Sequence, residues 1–321
     1  MKKVTMALPK GSLEKDTFDF LRRSAFEIVG EDRSYRPIID DREMAIKILR
    51  PQEIPTYVQQ GFYDLGISGL DWIKESGSDV KDLLDLEYGW VKLVVGAPKQ
   101  VYGNSDDIIE RNAGKRLRIS TEYPKLTSSF LMGLKSYKSL YGDRKPVIYT
   151  PWWKMGENDD VAIYLSFGAT EAKPPEEADL VVDVTQTGAT LEQNDLKPID
   201  LVTESTAHLI ANRDSLKDSK KREKILDIVA LFKGTLESRK KYHIFVNVKE
   251  KNLQELLDAL PSLKGPTVNK LSKPGWYAVN TVIDKAEYRK LLPTFRRLAQ
   301  GLVIHSPRSI MSLEALEDEI R

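Results

Sequence analysis

Cysteine is absent from the 321 residues, which excludes disulfides, thiolate catalysis and any zinc site built on sulfur. Histidine is scarce: His208, His243 and His305 stand too far apart in sequence to suggest a metal cluster. Neither sign of charge dominates, because 49 Lys and Arg face 48 Asp and Glu for a net charge of +1. Such totals do not describe a protein that gathers nucleic acid, although a local basic site stays open. Long apolar runs are missing too, and the opening stretch "MKKVTMALPKGSLEKD" breaks its short apolar segment with Pro and Gly, unlike a membrane span or a signal peptide. The expectation is a soluble, cytoplasmic protein with no membrane or nucleic-acid partner.

What is present is a rhythm. Short apolar runs alternate with amphipathic stretches ("KVTMALP", "SLEKDTFDFLRRSAF", "DREMAIKIL", "YDLGISG", "VKLVVGAP"), the pattern of an α/β domain with strands covered by helices on both faces. At this length one core rarely suffices, so two or three domains are expected. The chain turns polar from Val101 to Lys115, and a second α/β run starts at "RLRIST". The stretch "LYGDRKPVIYTPWWKMGENDD" reads as irregular. "LKPIDLVTESTAHLIANRDSL" then returns the chain to the first domain. The expected bounds are 1–100 and 196–215 for one catalytic lobe, 101–195 for the other, and a charged helical spacer over 216–240. Residues 241–321 form a third domain, whose elements read βαββαβ, the ferredoxin-like order.

One stretch raises a chemical question: "VVDVTQTGATLEQN", Val181 to Asn194, is a strand that runs straight into a turn of threonines and one glycine. Thr187 and Thr190 could simply cap a helix while Gly188 makes the turn. Alternatively Gly188 takes a positive φ, and successive N–H groups with the Thr185, Thr187 and Thr190 hydroxyls cradle a phosphate at a helix start. Asp183 would be misplaced beside a bare phosphate and suits ribose hydroxyls or a magnesium ion. A Walker loop is excluded, since no Lys follows the glycine.

Other candidates lie at strand ends. Lys10 and Gly11 sit in "LPKGSL", where an ammonium and free N–H groups can meet a phosphate. Arg50 precedes Pro51, and Asp71 follows the small-residue turn "GISG"; the bland alternative is a structural ion pair of Arg50 with Asp64 or Asp71. "STEYPKLTSSF" sets Thr121 and Glu122 at a strand end, before a Thr127 suited to cap the next helix. Glu171 occupies the loop "SFGATE". Taken singly, Glu122 and Glu171 are solvated loop residues.

Taken together and in order, "ALPKGSL", "LRPQEIPTYVQQGFYDLGISGLD", "STEYPKLT", "ADLVVDVTQTGATLEQNDL", "ESTAHLIANR" and "LPSLKGPTVNKLSKPGWYAV" resemble the ATP phosphoribosyltransferase family in its long form, over nearly the whole chain. The resemblance implies a reaction in which N1 of ATP attacks C1′ of phosphoribosyl pyrophosphate, releasing pyrophosphate in the presence of Mg2+, as the first step of histidine biosynthesis. It implies two periplasmic-binding-protein-like α/β lobes, a C-terminal regulatory domain that binds histidine as an inhibitor, and assembly into dimers and hexamers. By the same resemblance, Asp183, Thr185, Gln186, Thr187, Gly188, Ala189 and Thr190 hold phosphoribosyl pyrophosphate. Lys10 and Arg50 serve the pyrophosphate or ATP phosphates and, with Asp183, carry catalysis. Gly11, Asp71, Thr121, Glu122, Tyr123 and Glu171 line the ATP cleft, and Mg2+ is held mainly through substrate phosphates; Thr267, Asn269 and Ser272 could supply donors or acceptors to histidine, or be ordinary strand and turn residues.

Three features depart from the family pattern. Ser12 stands where many relatives carry Arg, "SFGATE" holds an extra residue, and Tyr137 to Asp160 is an insertion. That insertion would either cap the cleft, stacking Trp152 or Trp153 on a base, or bury both against a neighbouring subunit. The competing readings are a phosphoribosyltransferase with another nucleobase acceptor, and a non-catalytic sensor of the same ligands.

Overall fold

Residues 3–30, 34–261 and 265–311 are described by the computed structural model. Along the chain, β1 (Val4–Pro9) leads into α1 (Glu14–Arg23), and the short strands β2 (Ile28–Val29) and β3 (Ile38–Ile39) precede β4 (Met44–Leu49). Next come α2 (Ile54–Gln59), β5 (Leu65–Gly69), α3 (Leu70–Ser76), β6 (Lys81–Asp85), β7 (Val91–Pro98), α4 (Ser105–Arg111) and β8 (Leu117–Thr121). They are followed by α5 (Pro124–Gly133), α6 (Lys135–Tyr141), β9 (Pro146–Tyr149), β10 (Lys154–Met155), β11 (Asn158–Leu165), β12 (Leu180–Thr185) and α7 (Ala189–Gln193). The rest comprises β13 (Leu196–Ser205), β14 (Ala207–Ala211), α8 (Ser219–Lys240), β15 (Lys241–Lys249), α9 (Glu250–Ala259), β16 (Thr267–Lys270), β17 (Trp276–Asp284), α10 (Lys285–Leu298) and β18 (Ala299–His305).

The chain divides into two compact units, one of residues 1–16, 30–37 and 43–217, the other of 17–29, 38–42 and 218–321. In the first, a five-stranded sheet runs β4-β1-β5-β14-β6 and a seven-stranded sheet runs β10-β9-β11-β8-β12-β7-β13. The strands β4, β1 and β5 are parallel, as are β9, β11, β8 and β12. Parallel strands place their helical crossovers on the sheet faces and open their carboxyl ends to a ligand. Apolar residues of β8, β11 and β12 pack with Tyr123, Leu131 and Tyr137 of the covering segments in one core.

Two details differ from the sequence-based bounds. β7, expected in the first lobe, lies in the seven-stranded sheet between β12 and β13. The chain rejoins the five-stranded sheet only at β14, because β13 pairs with β7 along its length. The stretch read as irregular also contains β9, which pairs in parallel with β11 and buries Val147 and Ile148. Asn158 donates to the buried Tyr137 hydroxyl at 2.9 Å, and that hydroxyl donates to the Arg144 carbonyl at 2.7 Å, which knits the segment into the core.

The second unit holds the expected ferredoxin-like arrangement, with sheet order β16-β17-β15-β18 and its core formed by Ile244, Val246, Val248, Val279 and Ile283 with Leu256, Phe295 and Leu298. The 216–240 stretch is not a spacer. In α8, Ile225, Ile228, Val229, Phe232 and Leu236 repeat at helical spacing and are all buried. Phe232 meets Phe20 edge-on at 5.0 Å and Phe26 at 6.2 Å, and Ser24 donates to Thr235 at 2.9 Å. The high charge of this stretch obscured an apolar stripe that needs a partner. Truncating Phe232→Ala is expected to destabilise this unit by about 3–5 kcal/mol in a denaturant melt; a loss within about 0.5 kcal/mol, as for an exposed spacer, would restore the linker reading.

Candidate active site

Three carboxylates gather where β8, β11 and β12 end. Glu122 follows β8, Asp183 lies on β12, and Glu171 sits in a 3-10 turn (Thr170–Ala172) reached by the loop after β11. Burial pushes the Asp183 carboxyl up to about 6, and the neighbouring charges of Glu171 and Glu122 add to the shift. The Asp183 carboxylate also accepts the N–H of Val184 at 2.7 Å, which opposes it. Glu122 is raised as well, first by burial and then by Glu171, while the Gly168 N–H partly offsets both. Acids that are solvated loop residues one at a time therefore share one environment. Among the described residues no group of three or more His, Cys, Asp and Glu is placed to hold a metal ion.

The loop to Glu171 is strained. Gly168 has φ +92° and Ala169 φ +49°, and a non-glycine residue in the left-handed region costs roughly 1–2 kcal/mol. Beside it Trp152, 73% exposed, packs edge-on against Phe167 at 5.7 Å. Trp152 is held by the turn between β9 and β10, in which the Thr150 hydroxyl accepts the Trp153 N–H at 3.0 Å.

At Thr185 to Thr190 the backbone turns at Gly188, with φ +83° and ψ −3°, as the cap of α7. A Cβ there would meet nothing within 4 Å, so the glycine is required by conformation and not by space. Two of the amides have side-chain partners in this loop: Gly188 N–H donates to the Thr185 hydroxyl at 2.8 Å and Ala189 N–H to Thr187 at 3.4 Å. The loop forms one wall of a cavity of about 400 Å³ lined also by Lys92, Val94, Ile199, Asp200 and Leu201. Lys92 was not singled out from sequence; its cross-strand register with Thr185 places it there.

The other sheet carries cations. Lys10, just past β1, donates to the Tyr35 hydroxyl at 3.0 Å and lies 4.3 Å from the ring centre. That hydrogen bond lowers the Tyr35 phenol from its ordinary value, and Arg50, past β4, adds to the same positive field. Tyr35 was invisible in the sequence because its carbonyl accepts the Ile48 N–H of β4 at 2.9 Å, while the register of β1 beside β4 sets the residue-10 and residue-50 turns side by side. Asp64 and Asp71 are each bound by other groups. Asp64 accepts the Thr5 N–H and the Ser215 hydroxyl, at 2.8 and 2.6 Å. The Gly11 N–H donates to Glu14 at 3.2 Å.

Asp71, Thr121 and Tyr123 do not line an open cleft. Asp71 is 4% exposed and accepts hydrogen bonds from the Tyr123 hydroxyl at 2.8 Å and the Ser205 hydroxyl at 2.7 Å. The Tyr123 ring stacks on Trp72 at 4.2 Å, and burial first, then Asp71, holds its phenol well above the usual range. Thr121 is wholly buried and donates to the Val182 carbonyl at 2.7 Å. Nearby, the Glu75 carboxylate accepts the N–H groups of Lys125 and Leu126 at the start of α5 and is raised by burial. Thr127 is buried inside α5 and caps nothing, since Pro124 opens that helix.

In the ferredoxin-like sheet, Thr267 and Asn269 lie exposed on the edge strand β16, and Ser272 is exposed just beyond it.

Comparison with known proteins gives two family matches. A family model described as ATP phosphoribosyltransferase matches residues 50–234, and one described as HisG, C-terminal domain matches 238–306. An ATP phosphoribosyltransferase of Pelotomaculum thermopropionicum is 34% identical over 95% of this chain and 98% of its own length. Another from Solibacter usitatus is 36% identical over 94% and 96%. Among solved structures, the ATP phosphoribosyl transferase (HisG:HisZ) complex from Thermotoga maritima aligns with a TM-score of 0.54 at 23% identity, covering 71% of this chain and 96% of that one, which shows a shared fold.

The Asp71 network gives a direct check. Tyr123→Phe leaves a buried carboxylate short of one donor and is expected to cost about 1–3 kcal/mol in a urea titration. Unchanged stability would mean that the hydroxyl is available to a ligand instead.

Proposed function

The chain belongs to the ATP phosphoribosyltransferase family, in the long form that carries the C-terminal domain, and from that premise we propose how its residues divide the chemistry. The reaction transfers the 5-phosphoribosyl group from phosphoribosyl pyrophosphate to N1 of ATP, releases pyrophosphate and opens histidine biosynthesis. The observation that carries the residue assignment is the opposed charge of two sets of strand ends: Lys10 and Arg50 around Tyr35 in one sheet, and Glu122, Glu171 and Asp183 in the other.

The loop from Thr185 to Thr190, with Gln186 and Ala189, receives the 5′-phosphate. The phosphate takes over the Gly188 and Ala189 N–H groups from the threonine hydroxyls, which stay in place as further donors. Asp183 accepts the ribose hydroxyls, with Glu171 beside it. Both carboxylates face a sugar that gains positive charge as the C1′–O bond breaks. Lys10 and Arg50 donate to the departing pyrophosphate, where negative charge develops. The adenine N1 lone pair attacks directly, so no protein base is needed, and alignment supplies much of the rate. A divalent metal, which we assign as Mg2+, neutralises the phosphates that carry it in. Gly11 contributes from the start of the first crossover, and the exposed Trp152–Phe167 pair beside the Glu171 loop stacks on the base. Histidine acting through Thr267, Asn269 and Ser272, homo-oligomeric assembly and a cytoplasmic location complete the proposal.

Pyrophosphate release tests it. Release with ATP and not with other nucleoside triphosphates is expected, suppressed by added histidine, and Lys10→Gln should lower kcat roughly 10²-fold, as for loss of one donor to a developing anion. A wild-type kcat in that variant would remove Lys10 from the machinery. The raised carboxyl gives a second expectation. With its carboxyl raised to about 6, Asp183 is only half-ionised near pH 6, so kcat/KM for phosphoribosyl pyrophosphate falls as pH drops through that value. Because Glu171 contributes to the shift, Glu171→Gln moves this acidic limb to lower pH. A limb that stays where it was would show that another group controls it.

A further inference from the structure

The loop from Thr185 to Thr190 offers amides and hydroxyls but no cation, since the run "TQTGAT" holds neither Lys nor Arg. A phosphate dianion held by neutral donors alone leaves its desolvated charge unpaired. The helix behind the loop, α7, is five residues long and aligns few peptide dipoles. Positive charge for this loop therefore has to come from another part of the fold.

The sheet supplies it. β7 runs between β12 and β13, and Lys92 stands directly opposite Thr185 on one side and Glu204 on the other. Residues opposed across antiparallel strands share a face, so the three form one row. Among the described residues lining the cavity of about 400 Å³ beside the loop, Lys92 is the one cation and Asp200 the one acid. The Asp200 carboxylate accepts the Ser105 N–H at 2.7 Å, at the start of α4. The Lys92 ammonium lies 3.9 Å from the Glu204 carboxylate, with both side chains about half exposed, where such a pair is worth little. It also lies 5.1 Å from the centre of the Trp90 ring, a contact that positions the side chain and leaves its charge intact. Asp183 is on the same face of β12, one row away at about 7 Å along the strand, with Val94 opposite it. An anion at the loop and a sugar at Asp183 are thus in adjacent rows.

We propose that Lys92 binds the 5′-phosphate of phosphoribosyl pyrophosphate, its ammonium moving from Glu204 to the anion when the sugar phosphate arrives. This role rests on the assignment of that phosphate to the Thr185 to Thr190 loop, and it adds the charge that the loop lacks. A charge-assisted hydrogen bond to a phosphate that the loop already holds outcompetes a loose, solvated pair with Glu204. The 5′-phosphate takes no part in bond breaking, so Lys92 holds it in the ground state and the transition state alike. Its contribution belongs to KM and not to kcat.

The test is calorimetric titration of the full chain with ribose 5-phosphate and, separately, with inorganic pyrophosphate, comparing wild type, Lys92→Gln, Lys92→Arg and Gly188→Val. Lys92→Gln is expected to weaken ribose 5-phosphate about tenfold or more, to leave pyrophosphate unchanged, and to be rescued in large part by Lys92→Arg. In turnover, Lys92→Gln raises KM for phosphoribosyl pyrophosphate by a similar factor, with kcat altered much less. Should either variant fail to fold by circular dichroism, Lys92→Met, which keeps the aliphatic stem, or Thr187→Val takes its place. Wild-type affinity for ribose 5-phosphate in Lys92→Gln, with binding lost in Gly188→Val, would overturn the role of Lys92 and leave the loop assignment standing. Wild-type affinity in both variants would overturn the loop assignment as well. Weakened binding of pyrophosphate in place of ribose 5-phosphate would also overturn the proposal, since Lys92 would then serve the leaving group.

Discussion

Two carboxylates on one short helix join the sheets of the catalytic unit. Asp71 and Glu75, one turn apart on α3, reach from the five-stranded side to Tyr123, Ser205 and the first amides of α5. Burying these groups carries a desolvation cost that only a full set of donors offsets, so the geometry is specified closely. The same contacts fix where β8 ends, because Tyr123 directly follows Glu122. The position of the acidic cluster therefore depends on this internal hydrogen-bond network.

Charge is segregated between the sheets in a way that suits the reaction. The breaking bond separates a cationic sugar from an anionic leaving group, and in the proposed assignment each meets the opposite charge from a different sheet. Burial also keeps Asp183 from ionising fully until above mildly acidic pH, since its carboxyl is held up to about 6 by desolvation and by its neighbours. The strained Gly168–Ala169 turn holds Glu171 in this cluster. Strain of this kind persists where the surrounding structure over-determines it, and it concentrates at functional sites.

The second unit has its own logic. Its α8 is a core element, because the apolar stripe faces Phe20 and Phe26. The segment after β18 lies against the same helix at Gly234. Similarly, His243 and His305, distant in sequence, stand opposite each other on β15 and β18 with Phe245 beside both.

The sequence by itself determined what depends on neighbours along the chain. The strand-to-helix turns at Lys10 and Gly69, the left-handed Gly188 and the βαββαβ order were all legible, because period, glycine and turn chemistry act within a few residues. Family motifs in order also disclosed the reaction. Only the tertiary structure decided which candidates are free to act. Asp71, Tyr123 and Thr121 carry the residue types of a binding site, yet pairing across 134 residues to Ser205 and 61 to Val182 commits them to the frame. Conversely, Glu122 and Glu171 are ordinary loop acids until the strand ends bring them beside Asp183. Tyr35 and Lys92 carry no local signal at all. Hydrogen-bond partners and desolvation are set by what packs from distant parts of the chain, and no window of sequence contains them.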